Sequence, residues 1–89
     1  MIEHREPVVN QLGLHARAAA RFVRVAGQFT AKIRVGRGTR MVDGKSILGL
    51  LLLAAARGTT LTVTADGEDE RAAINALTAL IARGFEDPA

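Results

Sequence analysis

The sequence predicts one α+β domain, residues 1–89, in which three helices lie on one face of a four-stranded antiparallel sheet. The chain has 89 residues, 48% of them hydrophobic, which is enough for one small packed core. Stretches in which apolar and polar residues alternate, typical of half-buried strands, are interleaved with stretches whose apolar residues recur at helical spacing. The resulting order is β-α-β-β-α-β-α. It leaves the arrangement of the strands open, since a ferredoxin-like sheet fits it equally well.

The chain begins with a strand, a turn and a helix. Residues 2–9 predict a strand at a sheet edge, because Pro7 has no N–H for a central ladder. After a turn at residues 10–13, residues 16–26 predict a helix. Its core stripe follows helical spacing: Ala19, Phe22, Val23 and Ala26. Arg17, Arg21 and Arg24 lie off this stripe on one flank of the helix. We expect Arg21 and Arg24 to be solvated.

The middle of the chain predicts a β-hairpin. Residues 30–35 alternate cleanly between apolar and basic side chains, and residues 39–42 form a short second strand. Two glycines place the connecting turn at residues 36–38. We expect Met41 to belong to the core.

The segment after this hairpin predicts an unusually apolar helix. Ser46 is suited to the N-cap, and we expect the helix to run from Ile47 to about Ala56 and to be closed by Gly58. Leucines lie almost all round it, and a small domain cannot bury every side. Some side chains are therefore expected to stay exposed as a docking patch: Ile47, Leu48 and Leu51. Alternatively, Gly49 or the following loop bends the segment and hides more of it.

The last third predicts a strand and a third helix. Residues 60–65 alternate between apolar and threonine side chains, and the acidic residues 68–70 suit the first turn of a helix. This helix ends at Gly84, and its stripe is apolar throughout: Ala73, Ile74, Leu77, Leu80 and Ile81. We expect residues 85–89 to form a short acidic tail.

The composition argues against several classes of protein. The chain has no Cys, so it has no disulfide, thiol nucleophile or Cys-ligated zinc, and we expect no metal and no cofactor. No apolar signal region follows Met1, and the most apolar run is shorter than the ~20 residues that cross a bilayer, so a cytoplasmic protein is expected. The net charge of +3, with basic residues concentrated in the first half, favours acidic partners. Three Phe without Tyr or Trp make a poor base-stacking platform, so nucleic acid is not expected.

The most informative stretch is Gly13-Leu14-His15-Ala16-Arg17, which follows the first predicted strand and opens the first predicted helix. His15 lies beside the free N–H groups of a helix start, and these groups together with the helix dipole favour an anion. Arg17 adds a positive charge with forked donors suited to phosphate. The chemistry is that of an imidazole beside a phosphate-sized anion site. The alternative is a solvated cap or a packed histidine.

This stretch, with Ala19-Ala20 after it, resembles the active-site signature of the HPr family, the histidine-containing phosphocarrier proteins of the bacterial phosphotransferase system. Residues 45–47 (Lys-Ser-Ile), followed by Gly49, resemble the family's regulatory-serine motif at the expected distance downstream. The resemblance covers essentially the whole chain. It implies the family's open-faced β-sandwich of four antiparallel strands and three helices.

The resemblance also implies a function for His15. This residue would accept a phosphoryl group on its δ nitrogen from enzyme I, charged by phosphoenolpyruvate, and pass it to a histidine of an EIIA-type protein. Arg17 would stabilise the phosphate, and the chain would act as a monomeric carrier more than as an autonomous enzyme. The surface used against these partners is implied to include Ala16, Arg17, Ala20, Ile47, Leu48 and Leu51.

A second phosphorylation site, at Ser46, is implied by the same resemblance and would serve control by an HPr kinase/phosphorylase. A phosphate there is tolerated by the helix dipole and puts about −2 charge beside the apolar patch. A plain N-cap explains the serine equally well.

Some residues depart from the family pattern or divide its branches. Ala18 stands where the family usually has proline, so the first helical turn is less pre-organised. Leu12 and residues 84–87 are similar to the nitrogen-regulatory branch, often called NPr, whereas Lys45 with Ser46 is similar to the sugar branch.

Two further classes of function fit the residues. One is a regulatory binding module on the same scaffold that does not relay phosphate. The other is a small nucleic-acid-binding domain that uses the basic flank, against which the scarcity of aromatic residues argues.

Overall fold

The computed structural model describes residues 1–86 as a sheet of four antiparallel strands with three helices. The α+β class and the order of the elements are as predicted. The predictions for residues 87–89, which end the domain and the acidic tail, lie outside the described residues. In chain order the elements are β1 (Ile2–Pro7), α1 (Ala16–Ala26), β2 (Lys32–Arg37), β3 (Arg40–Asp43), α2 (Ile47–Leu52), β4 (Thr60–Asp66) and α3 (Glu70–Ala82).

The sheet has the strand order β1-β4-β2-β3, and every neighbouring pair is antiparallel. The sequence alone left this strand order open. β1 is an edge strand, as Pro7 predicted, and Pro7 pairs with Thr60 at the end of the strand. β1 stops before Val9, earlier than predicted, because the buried Val8 leaves the ladder and exchanges backbone bonds with the loop before β4.

The core lies on one face of the sheet. Alternate residues of β2 and β4 are buried there against the apolar stripes of α1 and α3, whereas the intervening residues of both strands are mostly polar and more exposed. The largest side chains that make this core are Phe22, Ile33, Leu50, Leu53, Leu61, Leu77, Leu80, Ile81 and Phe85. This packing holds the helices over one face of the sheet.

The hairpin of β2 and β3 differs from the prediction. Gly36 and Arg37 belong to β2, and the turn is the pair Gly38-Thr39. Gly38 has φ +60°, which suits the first central position of a type II′ turn. Only this second glycine is needed for the turn, which is why the predicted turn began too early.

Met41 is half-buried and does not belong to the core, so that prediction is wrong. It pairs with Gly36, and its Sδ occupies the space that a Cβ of this glycine would need. The methionine therefore covers a glycine on the open face of the sheet.

α2 ends at Leu52, short of the predicted Ala56. Leu53 is the C-cap, and Ala54 takes a left-handed conformation with φ +50°. The chain leaves the helix because the next residues pack beneath the loop before α1. There the buried Ala55 accepts the Leu14 N–H at an N···O distance of 2.9 Å.

The chain after α3 is anchored at Phe85, where the prediction began an acidic tail. Gly84 (φ +70°) and Phe85 donate their N–H groups to the carbonyls of Ile81 and Leu80, which is the Schellman arrangement. The Phe85 side chain is 1% exposed and belongs to the core. A glycine followed by an apolar residue at a helix end is the signal that could have predicted this.

The start of α3 also differs from the prediction, because Glu70 alone of the acidic residues 68–70 lies in its first turn. Asp69, at the N-cap, makes no capping bond. Its carboxylate accepts the N–H groups of Thr30 and Ala31, both at 2.8 Å. These bonds, that of Thr30 first, lower the pKa of Asp69. Asp69 thus ties the loop between α1 and β2 to α3.

Candidate functional site

His15 is the N-cap of α1. Its backbone is extended (φ −80°, ψ 179°), and its Nδ1 accepts the Arg17 N–H at 3.2 Å. Because Nδ1 accepts a hydrogen bond, the proton of the neutral imidazole is on Nε2. The Nδ1 lone pair therefore points at the helix start, where backbone N–H groups favour an anion.

The loop before α1 fixes the position of His15 from two sides. Gly13 has φ +66°, and a Cβ on this residue would clash with the carbonyl oxygen of Ala55. On one side, the Leu14 N–H donates to the same carbonyl at 2.9 Å. On the other side, Asn10 Nδ2 donates to the Gly13 carbonyl at 2.7 Å. Asn10 was not among the predicted site residues, although its position three residues before a glycine is typical of a side chain that stabilises a turn.

An open cleft of about 320 Å³ adjoins His15 and joins the start of α1 to the loop after α3. It is lined by Asn10, Gln11, Leu12, His15, Arg17, Arg21, Gly84 and Glu86. Two arginines and one glutamate contribute to this lining, so the fixed charge favours an anion. The first-turn N–H groups of α1, which have no intrahelical acceptor, add to this preference.

The two arginines expected to be solvated differ from each other. Arg24 is exposed, as predicted. Arg21 is half-buried, lines the cleft, and donates through Nη1 to the Phe85 carbonyl at 3.0 Å, so the prediction is wrong for this residue. Its spacing of four residues from Arg17 is the signal that places both guanidinium groups on one side of the helix.

The apolar patch consists of four side chains of α2. Their exposed fractions are 43% for Ile47, 68% for Leu48, 36% for Leu51 and 53% for Leu52, whereas Leu50 is fully buried. The predicted exposure is confirmed, with Leu52 as an addition. Gly49 does not bend the helix to hide them, but the segment after the helix buries Leu53 and Ala55, so the alternative is confirmed for that segment alone. Within residues 1–86 no helix, this one included, combines the length and the apolar character needed to cross a membrane.

α1 and α2 pack against each other, so the cleft and the apolar patch lie on adjacent helices. Ala16 and Ala20, both predicted to contact partners, are exposed one turn apart on α1. Ala18, which replaces the usual proline of the family, is buried with 1% exposure and keeps a backbone N–H at the third position of the helix. Whether these residues contact a partner stays a prediction.

Ser46 is the N-cap of α2, as predicted. Its Oγ accepts the Gly49 N–H at 3.1 Å, and the side chain is half-buried. Lys45, which precedes it, donates through Nζ to the Phe29 carbonyl at 2.7 Å. The serine therefore has the structural role of a cap, and phosphorylation of its hydroxyl stays a prediction.

His4 lies outside the cleft. It is exposed on the edge strand β1, and its Nε2 is 3.2 Å from Glu6 Oε1. This is the ordinary surface position that the sequence predicted.

Comparison with known proteins places these features in a family. A model of the PTS-HPr family, described as the HPr component phosphorylation site, matches residues 2–83. A phosphocarrier protein HPr from Pseudomonas aeruginosa is 51% identical over 81 residues, or 90% of each chain. One from Cupriavidus necator is 46% identical over 85 residues, or 96% of each chain. A phosphocarrier protein NPr from Shewanella violacea is 37% identical over 86 residues, which is 97% of this chain and 94% of the relative.

The fold is also similar to that of a solved HPr structure. The crystal structure of HPr-C-His from Thermoanaerobacter tengcongensis superposes with a TM-score of 0.93 over the whole of both chains, at 38% sequence identity. The open-faced sandwich expected from the resemblance is therefore confirmed.

Proposed function

This chain belongs to the HPr family of phosphocarrier proteins of the phosphotransferase system, and we propose that Nδ1 of His15 is the atom that carries the phosphoryl group. One observation carries the proposal: the Nδ1 lone pair faces the Arg17 N–H at the start of α1, beside a cleft with two guanidinium groups. The oxygens of a phosphoryl group are stronger acceptors than an imidazole nitrogen for the same donors. The Arg17 N–H, which His15 caps in the free protein, is thus suited to hold the phosphoryl group after transfer.

The transfer requires positioning and charge stabilisation more than covalent chemistry. The Nδ1 lone pair attacks phosphorus, and the new P–N bond forms as the bond between phosphorus and the leaving atom of the donor breaks. Nε2 releases its proton to solvent, and the leaving group takes up a proton. The reverse of this step hands the phosphoryl group to an acceptor.

Arg17 is suited to stabilise the group on His15. A phosphoryl group carries about two negative charges near neutral pH. The planar fork of a guanidinium matches its oxygens. The Arg17 side chain is exposed, so the phosphoryl group remains solvated and accessible to the next protein in the relay.

We propose that the partners are enzyme I, charged by phosphoenolpyruvate, and EIIA-type proteins, met in the cytoplasm by a monomeric carrier. The apolar patch, together with Ala16, Arg17 and Ala20, would form the docking surface. Exposed leucines clustered on one short helix are typical of a surface that a partner covers. The excess of basic residues in the first half supports partners with acidic rims.

We further propose that phosphorylation of Ser46 regulates docking. The serine lies immediately before the apolar patch, so a phosphate there would place charge at a surface that must be desolvated on binding. A role as N-cap alone is the competing explanation, since the Oγ bond to Gly49 is present without any phosphate.

The relatives support the sugar branch over the nitrogen branch. The two relatives named HPr are 46% and 51% identical to this chain, whereas the relative named NPr is 37% identical. The proposal is therefore a sugar-type carrier.

A relay experiment tests this function. The chain is incubated with phosphoenolpyruvate, a sugar-branch enzyme I and an EIIA protein, and ³¹P NMR follows the phosphoryl group. We expect an Nδ1-phosphohistidine signal on this chain, followed by its appearance on the EIIA protein. Loading only by a nitrogen-branch enzyme I would correct the branch, and loading without onward transfer would favour a regulatory binding module. Absence of loading by either enzyme contradicts the proposal.

A further inference from the structure

We propose that Arg21 is a second phosphate-binding residue of the His15 cleft, whose guanidinium contacts the phosphoryl oxygens together with Arg17. The inference rests on the proposed function of His15. Arg21 lies one helical turn after Arg17, on the same side of α1, and lines the same cleft. It is the more buried of the two, since Arg17 is exposed and Arg21 is half-buried.

The guanidinium of Arg21 is held in place before any phosphate arrives. Its Nη1 donates to the Phe85 carbonyl at 3.0 Å. A guanidinium has five N–H donors in a rigid fork, so a bond through one of them orients the rest of the group. A side chain that is already ordered loses less conformational entropy when it binds an anion.

The carbonyl that holds Arg21 belongs to a well-anchored loop. Phe85 takes a left-handed conformation (φ +63°), which a residue other than glycine adopts only where its surroundings enforce it. Its buried side chain and the bond from its N–H to Leu80 supply that enforcement. Gly84 packs closely against Asn10: a Cβ added to this glycine would lie only 3.2 Å from Asn10 Cβ. The loop after α3 thus forms a fixed wall of the cleft.

The charges of the cleft also call for a second cation. A phosphoryl group brings about two negative charges, and Glu86 on the same lining brings another. Arg17 alone balances one of them. Arg21 adds a positive charge at the wall that also contains Glu86, which offsets repulsion between this carboxylate and the phosphoryl oxygens.

Arg24 supplies the matched control. It lies on the same helix and carries the same charge, but it is exposed and does not line the cleft. Its substitution tests the general effect of removing one arginine from this helix.

The experiment compares the wild type with R21Q, R21K and R24Q, each loaded with a phosphoryl group on His15, and titrates that group by ³¹P NMR. A nearby cation favours the dianionic form. We therefore expect R21Q to raise the proton affinity of the phosphoryl group about threefold, the scale of a partly solvated ion pair. R21K, which keeps the charge, is expected to stay near the wild type, and R24Q to match it.

Equal titration of R21Q and R24Q overturns the proposal. So does a lower thermal stability of R21Q and R21K with a wild-type titration, because Arg21 would then only support the loop. Should R21Q not fold, R21M keeps the apolar stem of the side chain and replaces it. If enzyme I does not load the wild type, the proposed function fails. Phosphoramidate then supplies the same group chemically, and the titration still decides the role of Arg21.

Discussion

Two helices of this domain begin with the same device and differ in what surrounds it. His15 caps α1 through Nδ1 at 3.2 Å from the Arg17 nitrogen, and Ser46 caps α2 through Oγ at 3.1 Å from the Gly49 nitrogen. Around His15 lie a cleft and two arginines, whereas Ser46 is followed by six residues without a charged side chain. We therefore propose that similar capping chemistry holds a phosphoryl group at α1 and controls docking at α2.

The length of the two helices sharpens this difference. α1 has 11 residues and α2 has 6, so the dipole at the start of α2 is carried by fewer peptide units. Lys45, the cation next to Ser46, already donates to the Phe29 carbonyl. An anion on Ser46 thus lacks the arrangement of donors that surrounds His15.

The largest expected effect on stability and on loading comes from a substitution in the loop that positions His15. Gly13→Ala forces a residue with a Cβ into φ +66° and against the Ala55 carbonyl, so we expect a loss of about 2–4 kcal/mol of stability and slower loading of His15. Denaturant unfolding and the loading rate measure this. Gly38→Ala is the control, because its φ is +60° but no atom lies within 4 Å of the added Cβ. It should lose only about 1 kcal/mol and load normally. Equal losses for both variants would contradict the packing argument.

A substitution in the apolar patch is expected to weaken docking without changing the residues around His15. Leu48→Asp places a charge on a side chain that is 68% exposed, so the fold should persist. The KM of enzyme I for this chain should rise about tenfold, because a carboxylate must then be desolvated in an apolar contact. Ala79→Asp, on the exposed side of α3, is the matched control and should leave KM unchanged. An unchanged KM for Leu48→Asp would remove the apolar patch from the interface.

The sequence predicts the local features of the two helix starts but not the contacts between distant parts of the chain. His15 and Ser46 as helix caps, the edge position of Pro7 and the exposed leucines follow from local rules of capping, hydrogen bonding and burial. The resemblance to the HPr family implied the open-faced sandwich, and the strand order β1-β4-β2-β3 came from the structure.

The contacts that join distant parts of the chain were missed. The bond from Arg21 to Phe85 spans 64 positions in sequence, and the bonds from Thr30 and Ala31 to Asp69 span 39 and 38. Spacing along one helix or strand does not encode such partners. The end of α2 was missed for the same reason, since Ala55 is drawn out of the helix by the loop before His15.

A pair of variants at Ser46 separates its two roles, with a smaller effect. Ser46→Asp keeps an N-cap acceptor and adds charge, so stability should be retained while transfer slows about fivefold. Ser46→Ala removes the cap without adding charge, and it should lose about 1 kcal/mol of stability but transfer normally. Urea unfolding and transfer rates measure both effects. Equal transfer rates for the two variants would leave Ser46 as a cap only.

The smallest expected effect is a loss of stability in acid, and it arises at Asp69, at the start of α3. Asp69 holds Thr30 and Ala31 rather than capping α3, and those bonds lower its pKa below the ordinary 3.8. The folded pKa is the lower one, so this stabilisation is present above pH 3.8 and is lost as the pH falls through the folded value. Unfolding free energies across the acid range should show this loss for the wild type and less of it for Asp69→Asn. Glu68→Gln, at the exposed neighbouring acid, should behave like the wild type.

Mass spectrometry of three chains shows whether His15 or Ser46 carries the phosphoryl group. Wild type, His15→Ala and Ser46→Ala are incubated with phosphoenolpyruvate and enzyme I, and their intact masses are recorded before and after acid and alkali treatment. We expect one phosphate on the wild type and on Ser46→Ala, lost in acid and stable in alkali, and none on His15→Ala. A phosphate retained by His15→Ala, or none on any chain, would contradict this expectation.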